Sequence, residues 1–346
     1  MSDSGTSHRL RFLAASAVAG ASIAAVAVLW GRRRRRKSLC GPARVTDLLI
    51  YPIKSCAEIR REIAVVGARG FEGDRVLQVT DSDGKFCTPR DKDKVRLFHV
   101  CCQLDDLDTL TLSYGDLKPL SVSLSKTTST VRAKILGAPR PNDNYEMLLD
   151  YGDEVATWLA SATGIEGCRL TGIGPDYHRT VFVNPKQADD VPEEDAPVSL
   201  GDEAPYLLTT LASLCDLNRR LGERGQPAVD MRRFRPNMVL EGTRPWEEDS
   251  WKRIRIGTAE FWVWQRCSRC VMTTIDRDTL ERGPEPLKTM TTFRERAHGC
   301  RNFGMHLVPV AATAGAGIRL SIGDAVEVLE YDAERKAEWQ QRFGRL

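Results

Sequence analysis

From residue 45 onward the chain is divided into apolar segments too short for long helices, and this division restricts it to a sheet-built architecture. Stretches at 45–51, 63–66, 75–79, 95–100, 109–113 and 130–135 are each β-branched or alternating in polarity, and Gly, Asp, Ser or Pro separates them. That pattern predicts an antiparallel, β-rich lobe. Asp81-Ser-Asp-Gly84 is the clearest turn, its glycine free to take positive φ. The period then changes to that of a helix at Val155, Trp158, Leu159 and Ala162, with Gly164 as a stop. A second helix runs through Leu211, Leu214, Leu217 and Leu221, with Thr209 or Thr210 as its cap. Residues 185–197 are polar and acidic without periodicity and read as a loop over the surface or the site mouth. Strands return at 237–241, 253–256, 259–264, 307–310 and 317–328, interrupted by a helix-like 287–297. Gly323-Asp324 marks a hairpin between 318–322 and 325–329, and 332–343 reads as a charged helical surface tail. The expected class is α+β and β-rich. At 346 residues the chain exceeds the ~100–200 residues of a usual domain, so one large domain or two intimately joined ones are expected.

Charge is unevenly placed. Of 50 Lys and Arg and 47 Asp and Glu, eight and one fall within residues 1–37, leaving 42 and 46 in the body. The net +3 therefore belongs to the N-terminal segment, and the mildly acidic body advertises no polyanion-binding face. Nucleic acid is not an expected partner. Ten cysteines over this length are too sparse for a secreted disulfide scaffold and imply a reducing compartment with mostly free thiols.

Residues 12–31 form an uncharged run of twenty, which as a helix of ~1.5 Å per residue just spans a ~30 Å hydrocarbon core. Arg32 to Arg36 and Lys37 follow at once, against Arg9 and Arg11 on the other side, and this asymmetry holds the C-terminal end in the cytosol. A cleavable transit or signal peptide is the competing reading. Length and charge favour a single membrane anchor.

The pattern richest in chemistry is Cys267-Ser-Arg-Cys270 followed by Val-Met-Thr-Thr-Ile-Asp276. Structural zinc would need two more ligands, His298 and Cys300 being the nearby candidates, at a spacing unusual for zinc. A redox dithiol belongs at a strand-to-helix junction, whereas these cysteines lie among strands. Two plain core thiols are the third possibility, and Arg266 and Arg269 count against it because positive charge favours thiolate. Elsewhere Lys54 and Ser55 end the first strand, Arg75 opens another, and Arg235-Pro-Asn237 opens a third. Singly, each cation reads as a solvated surface group. Together they form a fork suited to a phosphate. Neither GxGxxG nor GxxxxGK[ST] occurs, so both familiar nucleotide cradles are absent.

Tyr51-Pro-Ile-Lys54-Ser55-Cys56, Gly73-Asp-Arg75, Thr88-Pro-Arg90, Phe234-Arg-Pro-Asn237, Cys267-Ser-Arg-Cys270-Val-Met-Thr-Thr-Ile-Asp276 and Asn302-Phe-Gly-Met-His-Leu-Val308 form an ordered set. It resembles the MOSC proteins, in particular the group of mitochondrial amidoxime-reducing components, over roughly residues 45–330. The resemblance implies a MOSC-type β-barrel core joined to an N-terminal β-rich lobe and preceded by one transmembrane helix. The implied division is 1–11 tail, 12–31 anchor, 32–43 basic linker, 44–175 N-terminal domain, 176–331 MOSC domain and 332–346 tail. It further implies a molybdenum enzyme with a pyranopterin (molybdopterin) cofactor, Cys270 being the protein's metal ligand and catalytic residue and Cys267 not. By the same carry-over Lys54, Ser55, Arg75, Arg235 and Asn237 hold the pterin and its phosphate, with Ser268 and Arg269 beside the metal. His306 stands where relatives carry another polar or aromatic side chain, and 201–205 lies in a cofactor-contacting region with different residue types.

The implied activity is reduction of small N-hydroxylated compounds, amidoximes, hydroxylamines and N-oxides, with nitrite as a further candidate. Electrons would come from NADH through cytochrome b5 reductase and cytochrome b5, at the mitochondrial outer membrane with the catalytic body facing the cytosol. Two other classes compete: a molybdenum-cofactor carrier or sulfur-transfer MOSC protein, and a zinc-stabilised β-barrel binding protein.

Overall fold

The structure, a computed structural model, describes residues 41–135, 145–181, 196–294 and 301–344. The expected anchor at 12–31, most of the acidic loop at 185–197, and His298 with Cys300 lie outside the described residues. Among the described residues no helix is long and apolar enough to cross a membrane.

The first part of the chain supplies β1 (Arg44–Ile50), β2 (Ile59–Arg61), β3 (Ile63–Gly67), β4 (Gly70–Phe71), β5 (Leu77–Thr80), β6 (Cys101–Leu104), β7 (Thr109–Ser113), β8 (Leu120–Ser123), β9 (Thr130–Lys134), β10 (Tyr145–Asp150) and β11 (Arg169–Gly172). The second supplies β12 (Tyr206–Thr210), β13 (Met238–Glu241), β14 (Trp251–Ile256), β15 (Ala259–Arg269), β16 (Arg301–Pro309), β17 (Arg319–Ser321) and β18 (Val326–Tyr331). Eight of these build the largest sheet, in the order β18-β14-β15-β16-β12-β13-β1-β2, with β12 and β13 the parallel pair. The sheet curls back on itself: Val45 N–H donates to Asp324 O (3.0 Å) and Val326 N–H to Ala43 O (2.8 Å), joining the start of β1 to the start of β18. Curling removes exposed edges and encloses a core. That core is continuous with the N-terminal lobe, since Leu77, Leu97, Leu104 and Leu110 pack in the same cluster as Tyr206, Phe261 and Leu307. Residues 40–346 make one compact unit.

The periodic helices form where their spacing demands. Gly152–Thr163 ends on Gly164 in the left-handed conformation (φ 76°), and Thr210 caps Leu211–Glu223 through its hydroxyl, which accepts from Ser213 N–H. Several expectations fail for identifiable reasons. Residues 95–100 are not a strand but part of a 3-10 helix, Lys92–His99. Adjacent Leu97 and Phe98 are both buried there, whereas a strand would send them to opposite faces.

The segments flanking Gly323-Asp324 do not pair with each other. β17 joins β3 and β18 joins β14, because Asp324 caps the turn (Ser321 N–H to Oδ2, 2.8 Å) and the turn itself bonds to β1. The 287–297 helix is helical only over Leu287–Met290, and 295–297 lie outside the described residues. The C-terminal helix Ala333–Phe343 is no surface tail: Trp339 and Phe343 are buried in a second core with Trp246 and Phe303.

Candidate cofactor cavity

Two bulged strands build one wall. β15 extends to Arg269, five residues beyond its expected end, so Cys267 to Arg269, which read as part of a turn in the sequence, belong to the strand and Cys270 follows it directly. Register irregularities against β16 lie between Val263 and Gln265 and between Arg266 and Ser268. A regular strand would alternate its side chains; the bulges let Cys267, Ser268, Arg269 and Cys270 all line one cavity. Cys270 then opens the 3-10 helix Val271–Thr274, its carbonyl accepting from Thr273 N–H (3.2 Å) and Oγ1 (2.9 Å). Arg233 holds that helix from behind, pairing with Asp276 at 2.7 Å. On β16, Gly304 (φ 80°) permits the close approach of β12, because a Cβ there would meet Leu208 O at 2.6 Å. His306 follows and lines the same cavity.

The facing wall comes from the ends of β1 and the turns after it. Ser55 (φ 72°), Arg75 (φ 49°) and Arg235 (φ 54°) are three of the five non-glycine residues with positive φ among those described, and all three line the cavity. Strain of ~1–3 kcal/mol per residue is retained at such positions only where the surroundings over-determine the backbone. Arg75 therefore does not extend β5, which starts at Leu77. The Tyr51 ring is flanked by both guanidiniums, Arg75 at 4.5 Å and Arg235 at 4.1 Å. Asn237 fixes this pair: its Oδ1 accepts from Arg75 Nη1 (3.1 Å) and Leu207 N–H (3.1 Å), while Nδ2 donates to Leu49 O (3.2 Å). With its amide so engaged, Asn237 positions Arg75.

The cavity holds about 200 Å³, and six cations (Lys54, Arg75, Arg90, Arg233, Arg235, Arg269) line it against two carboxylates, Asp202 and Glu203. Most cations have partners. Lys54 Nζ pairs with Asp202 (2.6 Å) and donates to Leu200 O (2.7 Å). Burial nevertheless lowers the Lys54 ammonium to about 8, with Asp202 opposing the shift. Arg90 shares Asp202 at 3.0 Å, and Arg75 pairs with buried Asp74 at 2.6 Å. Arg235 differs. It donates from Nη1 to Cys56 O (2.7 Å) and keeps Nη2 sealed from solvent without a hydrogen-bond partner; like Arg269, which has the Cys267 sulfur instead, it has no carboxylate within ion-pair range among the described residues. Burial lowers its pKa, the cost of an uncompensated cation.

All nine residues singled out in the sequence, Lys54, Ser55, Arg75, Arg235, Asn237, Ser268, Arg269, Cys270 and His306, line this one cavity. Sequence reasoning assigned no role to Arg90, reached Asp202 and Glu203 only as part of segment 201–205, and missed the local role of Cys267. Arg90 is beside the Cys270 thiol, and its only sequence signal was membership of Thr88-Pro-Arg90. Among the described residues no cluster of three or more His, Cys, Asp or Glu is arranged to hold a metal ion. The chemistry of the donors fits an anionic, phosphate-bearing group with one soft thiolate ligand: an unpaired guanidinium nitrogen, an excess of cations and a part-exposed thiol.

Comparison with known proteins identifies the family. Residues 42–166 match the MOSC N-terminal beta barrel domain and 195–327 the MOSC domain. Mitochondrial amidoxime-reducing component 1 of Mus musculus is 31% identical over 293 residues, covering 83% of this chain and 82% of the relative. The Homo sapiens protein of the same name is 32% identical over 294 residues, 82% of each chain. Molybdenum cofactor sulfurase of Danio rerio is 30% identical over 82% of this chain but only 34% of its own length. The chain thus belongs to the MOSC-domain family that includes the mitochondrial amidoxime-reducing components.

Proposed function

We propose that this protein is a molybdenum-cofactor-dependent reductase of N-hydroxylated compounds, supplied with electrons from NADH through cytochrome b5 reductase and cytochrome b5. The observation that carries the reading is the cavity itself, where the part-exposed Cys270 thiol shares one wall with cations while Arg235 Nη2 has no partner. When bound, the molybdenum of the pyranopterin cofactor would supply the two-electron redox chemistry that the side chains lack. Cys270 is its protein ligand, a soft donor for a redox metal. Arg235, Arg75 and Lys54 grip the phosphate, and Ser55 adds a hydroxyl from the same wall. Ser268 and Arg269 flank Cys270 on the chain, and Asn237 acts through Arg75. Reduction of an N–O bond consumes two electrons and two protons and releases water, so a small polar cavity open to solvent suits it. In this reading segment 12–31 anchors the body on the mitochondrial outer membrane facing the cytosol, where tethering raises the effective concentration of the electron donors.

Lys54 gives a pH signature. Its ammonium is charged below about 8 in the cofactor-free protein, so affinity for the phosphate falls as pH rises through that value. The direct test is elemental and pterin analysis of the purified chain, which should return about one molybdenum per polypeptide if a single cysteine ligates a single metal. Zinc in its place would favour the β-barrel binding protein. Cys270→Ser should lose both the metal and benzamidoxime reduction in an assay reconstituted with NADH, cytochrome b5 and its reductase. Full activity in that variant would overturn the thiolate assignment.

A further inference from the structure

Cys267 sits in a different environment from the other thiols. It is 7% exposed, yet it lines the cavity, and Arg269 Nη1 donates to its Sγ at 2.7 Å. Arg269 is itself held by its other nitrogen on Phe234 O. On the adjoining strand the β15–β16 register pairs Gln265 with His306, and His306 lines the same cavity as Cys267, where imidazole and thiol are electrostatically coupled. His306 Nε2 is 3.2 Å from Glu203 Oε2, and Gln265 Nε2 also reaches that carboxylate at 3.3 Å. Neither His306 nitrogen has a well-directed hydrogen bond among the described residues, although the side chain is buried. The contacts among sulfur, imidazole and carboxylate are therefore electrostatic, and they are strongest if all three groups are charged.

We propose that Cys267 and His306 form a thiolate–imidazolium pair, braced by Arg269 and Glu203, that makes Cys267 a modification site for small soft electrophiles entering the cavity, hydroperoxides first among them. The proposal is independent of the molybdenum reading, because it needs only side chains of this polypeptide. Burial pushes the Cys267 thiol up, but Arg269 and then His306 outweigh it and the net shift is downward. Burial likewise opposes the charged imidazole, and Cys267 followed by Glu203 raises His306 to about 10. Burial raises Cys56, Cys87, Cys101, Cys102, Cys168 and Cys215 instead.

The charged groups facing the pair are Arg269 on its own strand, Glu203 on the 201–205 segment, and beyond it Asp202, which Lys54 and Arg90 engage. Reactive thiols share this combination of adjacent positive charge and access from a cleft. In the reaction the thiolate sulfur attacks the terminal oxygen of the hydroperoxide. A sulfur–oxygen bond forms and the oxygen–oxygen bond breaks, giving Cys267 sulfenic acid and an alkoxide or hydroxide that takes a proton from water. Sulfur is oxidised by two electrons and the hydroperoxide is reduced by two. Loss of the thiolate charge leaves Arg269 without its counter-ion and His306 with Glu203 alone, so oxidation makes the cavity more positive.

The test treats the full chain, with and without loaded cofactor, with hydrogen peroxide and a sulfenic-acid-trapping dione, and reads labelling by peptide mass. At about pH 6, Cys267 should label at least ~10-fold faster than Cys56 or Cys168, and His306→Asn should slow Cys267 by roughly the same factor. Labelling no faster than those buried thiols, or unchanged in a folded His306→Asn variant, overturns the proposal. If that variant does not fold, the difference in thiolate ultraviolet absorbance between wild type and Cys267→Ser at neutral pH decides. No difference overturns the pair.

Discussion

Two regions of this molecule bury charge, and they resolve it in opposite ways. Beside the helix Leu211–Glu223, Asp249 accepts from Arg294 through both oxygens (2.7 and 3.1 Å), and Arg294 also donates to Asn302 O (2.9 Å). Glu248 accepts from Ser213 Oγ (2.6 Å) and Thr210 Oγ1 (3.2 Å), and Asp216 takes Trp246 Nε1 (2.8 Å) and Arg220 (2.7 Å). Asp249 and Asp216 are met by guanidiniums, and Glu248 by two hydroxyls, all from the polypeptide itself. In the cavity, six cations face two carboxylates, backbone strain is concentrated, and Arg235 Nη2 has no partner. The first region is complete within the polypeptide, as a structural network must be. The second becomes electrically complete only with an anion.

Removing a partner should separate the two. Asp249→Ala strands a buried guanidinium and should destabilise the protein by about 3–5 kcal/mol in urea unfolding. Arg235→Met should shift stability by no more than about 1 kcal/mol, since the guanidinium has no counter-ion to leave behind. It should instead weaken cofactor retention roughly 10- to 100-fold, as expected for a charge-assisted hydrogen bond, measured as pterin lost on dialysis. Equal destabilisation by the two substitutions would erase the contrast.

The smallest effect concerns Glu248, which burial and then Asp249 raise from 4.5 to about 7. The folded state holds this proton longer than the unfolded chain does, so stability falls as pH rises from 4.5 to about 7 and the penalty persists above. Glu248→Gln should remove that slope, with no gain at about pH 4 and a gain on the order of 1 kcal/mol at about pH 8. An unchanged pH dependence of the melting temperature would show that Glu248 does not titrate there.

The cavity was more legible in the sequence than the sheets around it. Singly, Lys54, Arg75 and Arg235 read as solvated cations and Cys270 as half of an ambiguous CxxC; it was the ordered set of motifs, through its resemblance to the MOSC proteins, that grouped them into one site. Arg90 and Asp202 were not legible as partners, because 112 residues separate the members of that ion pair. Cys267 appeared as half of a CxxC, and only the bulged course of β15 showed that it lines the same cavity as His306 of the adjoining strand. Glu203 entered for the same reason, through a contact across the cavity.

Local sequence pattern determined that the chain is β-rich and that helices lie near Gly152–Thr163 and Leu211–Glu223, with a stop at Gly164 and a cap at Thr209 or Thr210, of which the structure uses Thr210. These depend on residues within one or two turns of each other, and their signal is short-range. Tertiary structure decided which strands pair, as when β17 and β18 left their expected hairpin for two different sheets. It also decided that Lys92–His99 is helical and that the C-terminal helix is docked through Trp339 and Phe343. A strand's own pattern specifies a face to bury but not the neighbour that buries it. That choice is made by long-range packing, which also brings Cys270, Arg235 and Lys54 around one cavity.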